Sequence, residues 1–215
     1  MMGTLDPKHA FQEGPGPAVG DHTPTLKLHT LGELVLPTGR IVACDPFLVS
    51  GHEEPFTHGV AAGRHPVLVN VAEANGDARV AYAIVRFGER PPVRWEMALI
   101  SGQDAGTLGE GEFFGYGVDA GTGCFMDAQV ARILAERSTE ENDYNGDLLE
   151  AMEKTYVHTW SWLDVVLDPA TGANVVAFSS GWGDGSYPSF WGFDETGAVA
   201  CLVTDFGLFW SGAEE

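Results

Sequence analysis

Positive charge is scarce in this 215-residue chain, where 11 Lys and Arg stand against 31 Asp and Glu for a net charge of -20. Nucleic acids and anionic lipid surfaces are held by clustered Lys and Arg, so this deficit argues against both as partners. It leaves small-molecule ligands, cations and basic proteins. Cysteine is nearly as rare. Cys44, Cys124 and Cys201 are odd in number and far apart, with no CxxC pair, which excludes a zinc ribbon and a CxxC redox motif. Cys44 and Cys201 lie in apolar runs and read as core thiols, and a reducing, cytoplasmic setting is the expectation. No apolar run approaches the roughly eighteen residues of a membrane-spanning helix, and no basic segment followed by an apolar one opens the chain. Neither a membrane span nor a secretory leader is expected.

What is present points to a globular fold. Hydrophobic residues make up 44% of the chain, enough for one buried core. Residues 1–25, with Gly14-Pro15-Gly16-Pro17, lack periodicity and read as a flexible N-terminal arm; residues 26–215 read as a single α+β domain. Thr38-Gly39 suggests a turn joining a strand at Leu34-Val35-Leu36 to one at Ile41–Cys44. Asn75-Gly76-Asp77 is a strong hairpin signal between Val67–Val71 and Ala78–Phe87. The second of these alternates only partly, as a strand covered on both faces would. Arg94–Ile100 reads as a further strand. Asp168–Gly172 and Asp194–Gly197 predict two more hairpins near the C-terminus.

Helix is expected only in the middle of the chain. Asp127 is placed to cap a helix reaching about Arg137, and a second covers Tyr144–Lys154. The acidic run Glu140-Glu141-Asn142-Asp143 between them suits a helix N-terminus. The whole predicts an α+β fold with a mainly antiparallel curved sheet and two short helices.

Two glycine- and aromatic-rich segments hold the candidate chemistry. Gly117–Asp127 places Asp119 and Asp127 among glycines. These two carboxylates, with a third from Glu96, Asp184 or Asp205, would suit a divalent cation. Equally, Asp119 would stabilise a turn and Asp127 cap a helix. Val118–Gly123 is similar to the phosphate-binding turn of actin- and hexokinase-like ATPases, but the second such turn and the parallel sheets of that fold are missing. The segment Ser179–Asp194 offers Ser180, Trp182, Asp184, Ser186, Tyr187 and Trp191 as the walls and hydroxyls of a ligand-binding loop. It reads as readily as a wide hairpin loop whose aromatics complete the core. A Ser–His–Asp set from Ser180 or Ser186, His158 and Asp184 lacks the Gly-x-Ser-x-Gly motif. His52, His58 and His65 lie in a loop, with Phe56 standing where HExxH requires His. Asp205-Phe206-Gly207 lacks the companion motifs of a kinase and reads as a strand end.

The order of Asp45-Pro46, Arg79-Val80-Ala81, Trp95–Ala98, Gly117–Asp127, Tyr187–Gly192 and Asp205-Phe206 resembles the bacterial family known as domain of unknown function 4241. The resemblance covers roughly residues 30–210, and its specific part is Gly117–Asp127. It implies no activity. Two function classes therefore remain. One is a ligand- or protein-binding module using the Gly/aromatic surface, in the manner of acidic immunity proteins that neutralise a basic partner. The other is a metal-dependent hydrolase of a phosphate ester or similar polar substrate. There Asp119 and Asp127 would hold the cation, and Glu96 or Asp205 would complete the shell or act as base.

Overall fold

The computed structural model describes residues 7–139 and 142–210. Residues 1–6 of the expected arm, Glu140 and Glu141 of the acidic run, and residues 211–215 lie outside the described residues. Along the chain the strands begin with β1 (Gly14–Pro15), β2 (Thr25–Leu36), β3 (Ile41–Cys44), β4 (Gly63–Ala74), β5 (Asp77–Arg86), β6 (Arg94–Met97), β7 (Tyr116–Val118) and β8 (Thr122–Asp127). Helix α1 (Ala128–Arg137), the short β9 (Ser138–Thr139) and β10 (Asn142–Asp143), and helix α2 (Tyr144–Glu153) follow. The chain ends with β11 (Trp162–Asp168), β12 (Ala173–Ser179), β13 (Gly185–Tyr187), β14 (Ser189–Phe193) and β15 (Val199–Asp205).

Three layers result. A seven-stranded antiparallel sheet, in the order β1-β2-β4-β5-β15-β14-β6, curls strongly into a half-barrel. A four-stranded sheet, β11-β12-β8-β3, lies in the middle, and the two helices cover its other face. Side chains alternate across a strand, and the middle sheet uses both faces. Ile41, Phe125, Val176 and Phe178 join the core of the large sheet with Leu34, Val69, Ile84 and Leu202. Their neighbours Val42, Met126, Val175 and Ala177 pack instead with Val130 and Leu134 of α1 and Leu148 and Met152 of α2. Every residue of β8 is consequently buried, which is why that strand reads as a continuous run rather than an alternating one. The α+β expectation with two central helices is met. Among the described residues no helix is long and apolar enough to cross a membrane.

The hairpins predicted from turn chemistry form as β4–β5, β11–β12 and β14–β15. At the first, Asn75 and Gly76 both have positive φ, 53° and 82°, as a tight hairpin turn demands. The turn at Thr38-Gly39 does not make a hairpin. β2 pairs with β4 in the large sheet, whereas β3 pairs with β8 in the middle one. The chain changes layer there, and Asp127 fixes the change by accepting from the Thr38 N–H at 2.9 Å and the Thr38 hydroxyl at 2.8 Å. Residues 7–15 lie against the large sheet. Ala10 is fully buried, β1 extends the sheet beyond β2, and the Asn70 amide donates to the carbonyls of Ala10 and Gln12 at 3.0 and 2.8 Å.

One buried side chain stitches two layers together. Asn174 of β12 accepts from the Val35 N–H at 2.8 Å and donates to the Glu33 carbonyl at 2.8 Å, both on β2. Its amide also donates to Asp164 at 2.5 Å. Asp164 in turn lies over Gly32, where a Cβ would come within 2.3 Å of its carboxylate, so a larger residue there would have to displace that side chain. Asn174→Ala would strand a buried N–H and a carbonyl at the junction. It should destabilise the protein by about 2 kcal/mol, read as a lower urea midpoint with an unchanged denaturant slope.

Candidate functional site

The two glycine-rich segments lie side by side. β13 pairs with β7, setting Gly185 opposite Val118 and Tyr187 opposite Tyr116. Between β7 and β8 the chain turns through Asp119, Ala120 and Gly121, the last with φ 61°. Asp45, at the end of β3 and 2% exposed, holds this turn. One of its carboxylate oxygens accepts from the N–H groups of Asp119 and Ala120 at 3.0 and 2.7 Å; the other accepts from Phe47 N–H at 2.9 Å. A carboxylate with backbone donors on both oxygens is among the stronger devices for fixing a loop. From the far side, Asp184 accepts from Gly121 N–H at 3.1 Å, and Ser180 N–H donates to Gly121 carbonyl at 3.0 Å.

The loop after β12 is closed on itself as well. The Ser180 and Tyr187 hydroxyls both donate to the Gly183 carbonyl, each at 2.8 Å. Gly181, with φ 55°, lies so close to Phe206 and Leu208 that a Cβ would fall within 2.9 and 2.7 Å of them. Trp182 is thereby carried at the tip of a loop with little freedom, and it is 60% exposed. The Arg79 guanidinium lies 5.0 Å from its ring centroid, a cation–π contact.

Beside this pair opens a groove of about 310 Å³, lined mainly by apolar groups that include Val19, Pro24, Ala72, Leu208 and Phe209. Asp77 pairs with Arg79 at 2.9 Å at its floor. Burial tends to raise the Asp77 carboxyl, but Arg79, the Thr159 hydroxyl and the Ala78 N–H hold it below the usual carboxylate value. The hairpin tip behind the groove is clamped from its other side. The His158 ring meets the Gly76 carbonyl at 2.8 Å, and the Thr159 hydroxyl accepts from Ala78 N–H at 3.1 Å. Thr159 holds φ 73° to do so, a conformation that costs a β-branched residue roughly 1–3 kcal/mol.

Of the residues singled out from sequence, Trp182, Asp184 and Ser186 are exposed on this loop, whereas Ser180 and Tyr187 are buried and build it. Trp191 packs inside the large-sheet core against Phe56, His58 and Phe87. Asp119 is exposed. Asp127, at the opposite end of β8, is fully buried and caps α1 through the Gln129 N–H at 2.9 Å. Glu96 pairs with Arg94 on the edge strand β6. Asp205 accepts from Gly207 N–H and the Trp210 indole at 2.9 and 3.2 Å. Among the described residues no group of three or more His, Cys, Asp or Glu is arranged to hold a metal ion. Ser180 and His158 are each engaged by main-chain carbonyls, and no hydrogen bond joins them. His65 lies on Phe87 and His58 on Trp191, two rings whose centroids are 6.1 Å apart.

Sequence reasoning missed Arg79 and Asp45 as parts of the site. Arg79 carried a signal, being a lone cation at the head of the apolar run Val80–Val85. The groove walls at Val19, Pro24, Leu208 and Phe209 carried none, since only tertiary packing brings them together. A family model described as Protein of unknown function (DUF4241) matches residues 34–204. No curated protein and no solved structure matches the chain.

Two outcomes follow from this geometry. Asp45→Ala removes the acceptor of three N–H groups and should cost about 3 kcal/mol, with amide exchange at Asp119 and Ala120 accelerating more than the global opening rate. The Asp77 stabilisation is present above the unfolded carboxyl value of about 4 and is lost as pH falls through the lower folded value. The Ala78 amide, bound to Asp77 at 3.0 Å, should therefore shift in an acid NMR titration with a midpoint below that of an ordinary Asp.

Proposed function

The chain belongs to the family described as Protein of unknown function (DUF4241), and from that premise we propose that it is a binding module that receives a flat aromatic group in the groove beside Trp182 and Arg79. The observation that carries this reading is Trp182 itself. A large aromatic side chain stands 60% exposed on a loop whose backbone is tied down by Asp184, Ser180 and Tyr187. Exposure of a Trp forgoes stabilisation of roughly 1.5–3 kcal/mol that burial would bring, and a rigid scaffold beneath it means little conformational entropy is lost when a partner covers it. Rigid, exposed Trp beside Arg is the composition of binding hot spots.

Charge narrows the ligand. Arg79 is already neutralised by Asp77, and the chain as a whole carries -20. Neutral or cationic aromatic groups are favoured over anionic ones. An aromatic side chain flanked by Lys or Arg on a basic protein meets the same requirement, which joins the groove to the acidic surface. The metal-dependent hydrolase is the weaker reading, because Asp119 and Asp127 stand at opposite ends of β8 and the Asp127 carboxylate is engaged by Thr38 and Gln129.

The test is an NMR titration of the full chain with indole, benzamidine and benzoate as neutral, cationic and anionic probes. Saturable shifts of the Trp182 indole N–H and the Arg79 amide are expected with indole and benzamidine, at dissociation constants of about a millimolar for ligands this small. Benzoate should bind at least several-fold more weakly, and Trp182→Ala should remove the response. Equal binding of all three, or shifts that bypass Trp182 and Arg79, would overturn the proposal.

A further inference from the structure

Two of the three cysteines, 80 positions apart in sequence, meet in the fold. Cys44 is the last residue of β3 and Cys124 lies in β8; they are direct partners across the antiparallel pair. Their sulfurs are 3.7 Å apart. Directly opposed residues in an antiparallel pair have Cα atoms about 4.5–5.5 Å apart, within the span of a disulfide, whose S–S bond is about 2.05 Å. The sulfurs thus need to approach by less than 2 Å. β3 is the edge strand of its sheet, free of a partner on one side and so able to make that adjustment. The two sulfurs are not equivalent. Cys124 is fully buried, whereas Cys44, at the end of the edge strand, is partly exposed. Cys201 is buried on β15, in the other sheet.

We propose that Cys44 and Cys124 form a thiol–disulfide exchange site that reacts with small disulfides and closes to a cross-strand disulfide. In the first step the Cys44 sulfur, as thiolate, attacks one sulfur of a small disulfide RSSR. A Cys44–SR bond forms, the S–S bond of the reagent breaks, and RS⁻ leaves to take up the proton that Cys44 gave to water. In the second step the Cys124 sulfur attacks the Cys44 sulfur, expelling the second RS⁻, which is protonated in turn. Two thiols of the protein are oxidised by two electrons, and RSSR is reduced to two RSH. The opposed register makes the second step intramolecular, so the mixed disulfide is short-lived. Cys44 is the side that meets reagent first, being partly exposed where Cys124 is buried.

The environment also sets the speed. The hydrogen bond with Cys124, burial, and the Glu53 and Asp45 carboxylates all push the Cys44 thiol well above its ordinary value. Little thiolate is present at neutral pH, so exchange is slow there and quickens with alkali. The disulfide, once closed, would enclose residues 45–123 in a covalent loop and raise stability by restricting the unfolded chain.

The experiment treats the folded full chain with 2-hydroxyethyl disulfide between pH 7 and 9, traps remaining thiols with N-ethylmaleimide after denaturation, and reads intact and peptide masses. The expected product links Cys44 to Cys124 and carries one maleimide, on Cys201, so that apart from this label its mass is two hydrogens below that of the reduced chain. Its rate should rise about tenfold per pH unit, and its thermal midpoint should exceed that of the reduced protein. Cys124→Ser should stop at a stable Cys44 mixed disulfide, and Cys44→Ser should leave Cys124 unmodified. Three results would overturn the proposal: a lasting mixed disulfide in the wild type, a bond that includes Cys201, or no reaction of the folded chain where the urea-unfolded chain reacts. The wild-type products decide the matter even if either serine variant fails to fold.

Discussion

β8 and β12 each place alternate side chains in two different cores, and this double burial dictates where the rest of the chain must go. Phe125 and Phe178 face the half-barrel while Met126 and Ala177 face the helices. A pair of strands with no solvent face must satisfy its polar groups internally, since an unpaired buried donor or acceptor costs about 1–3 kcal/mol. Each polar side chain at its margins accordingly has a fixed assignment. Asn174 joins it to β2, Asp127 fixes both the turn after β2 and the start of α1, and Asp45 fixes the turn that leads into β8. Asp127, one of the two acids that looked like metal ligands, is thereby committed to architecture.

The candidate site inherits its rigidity from that arrangement. Asp45 secures the 119–121 turn, the turn secures the 180–187 loop through Asp184 and Ser180, and the loop presents Trp182. No member of this chain of contacts touches the groove except the last. In the proposed binding role the ligand meets Trp182, whose position is determined by residues outside the groove. On the opposite wall the hairpin tip is held in the same way, through the strained Thr159 and His158.

Features of the fold that depend on local chemistry were legible in the sequence. Asp127 announced α1 because N-capping uses a side chain and a backbone donor two residues apart. Asn75-Gly76 and the Asp168–Gly172 turn announced their hairpins because positive φ is a local demand. The passage from β2 to β3 was misleading for the same reason: a tight turn at Thr38-Gly39 looks alike whether the next strand folds back or moves to another layer, and only the distant Asp127 distinguishes the two. The site was half legible. The Gly-rich loop and Trp182 stood out, but Arg79 and the walls at Val19 and Leu208 converge from three parts of the chain, and the Cys44–Cys124 contact depends on a strand pairing with no local signature. Trp191, whose aromatic neighbours suggested a ligand wall, is in the core because its side chain packs into the large-sheet core against Phe56 and Phe87.

The position of β15 has a consequence for how the protein is made. This strand, the last among the described residues, is inserted between β5 and β14 inside the large sheet. While the chain emerges from the ribosome, β4 and β5 are complete long before their neighbour exists. Through that interval β5 offers an unpaired edge with six successive residues destined for burial, Val80–Val85. Such an edge is a template for pairing with another nascent chain. The half-barrel closes only once β15 has been made and seated, and loss of that strand would leave a gap inside the sheet rather than trim its margin.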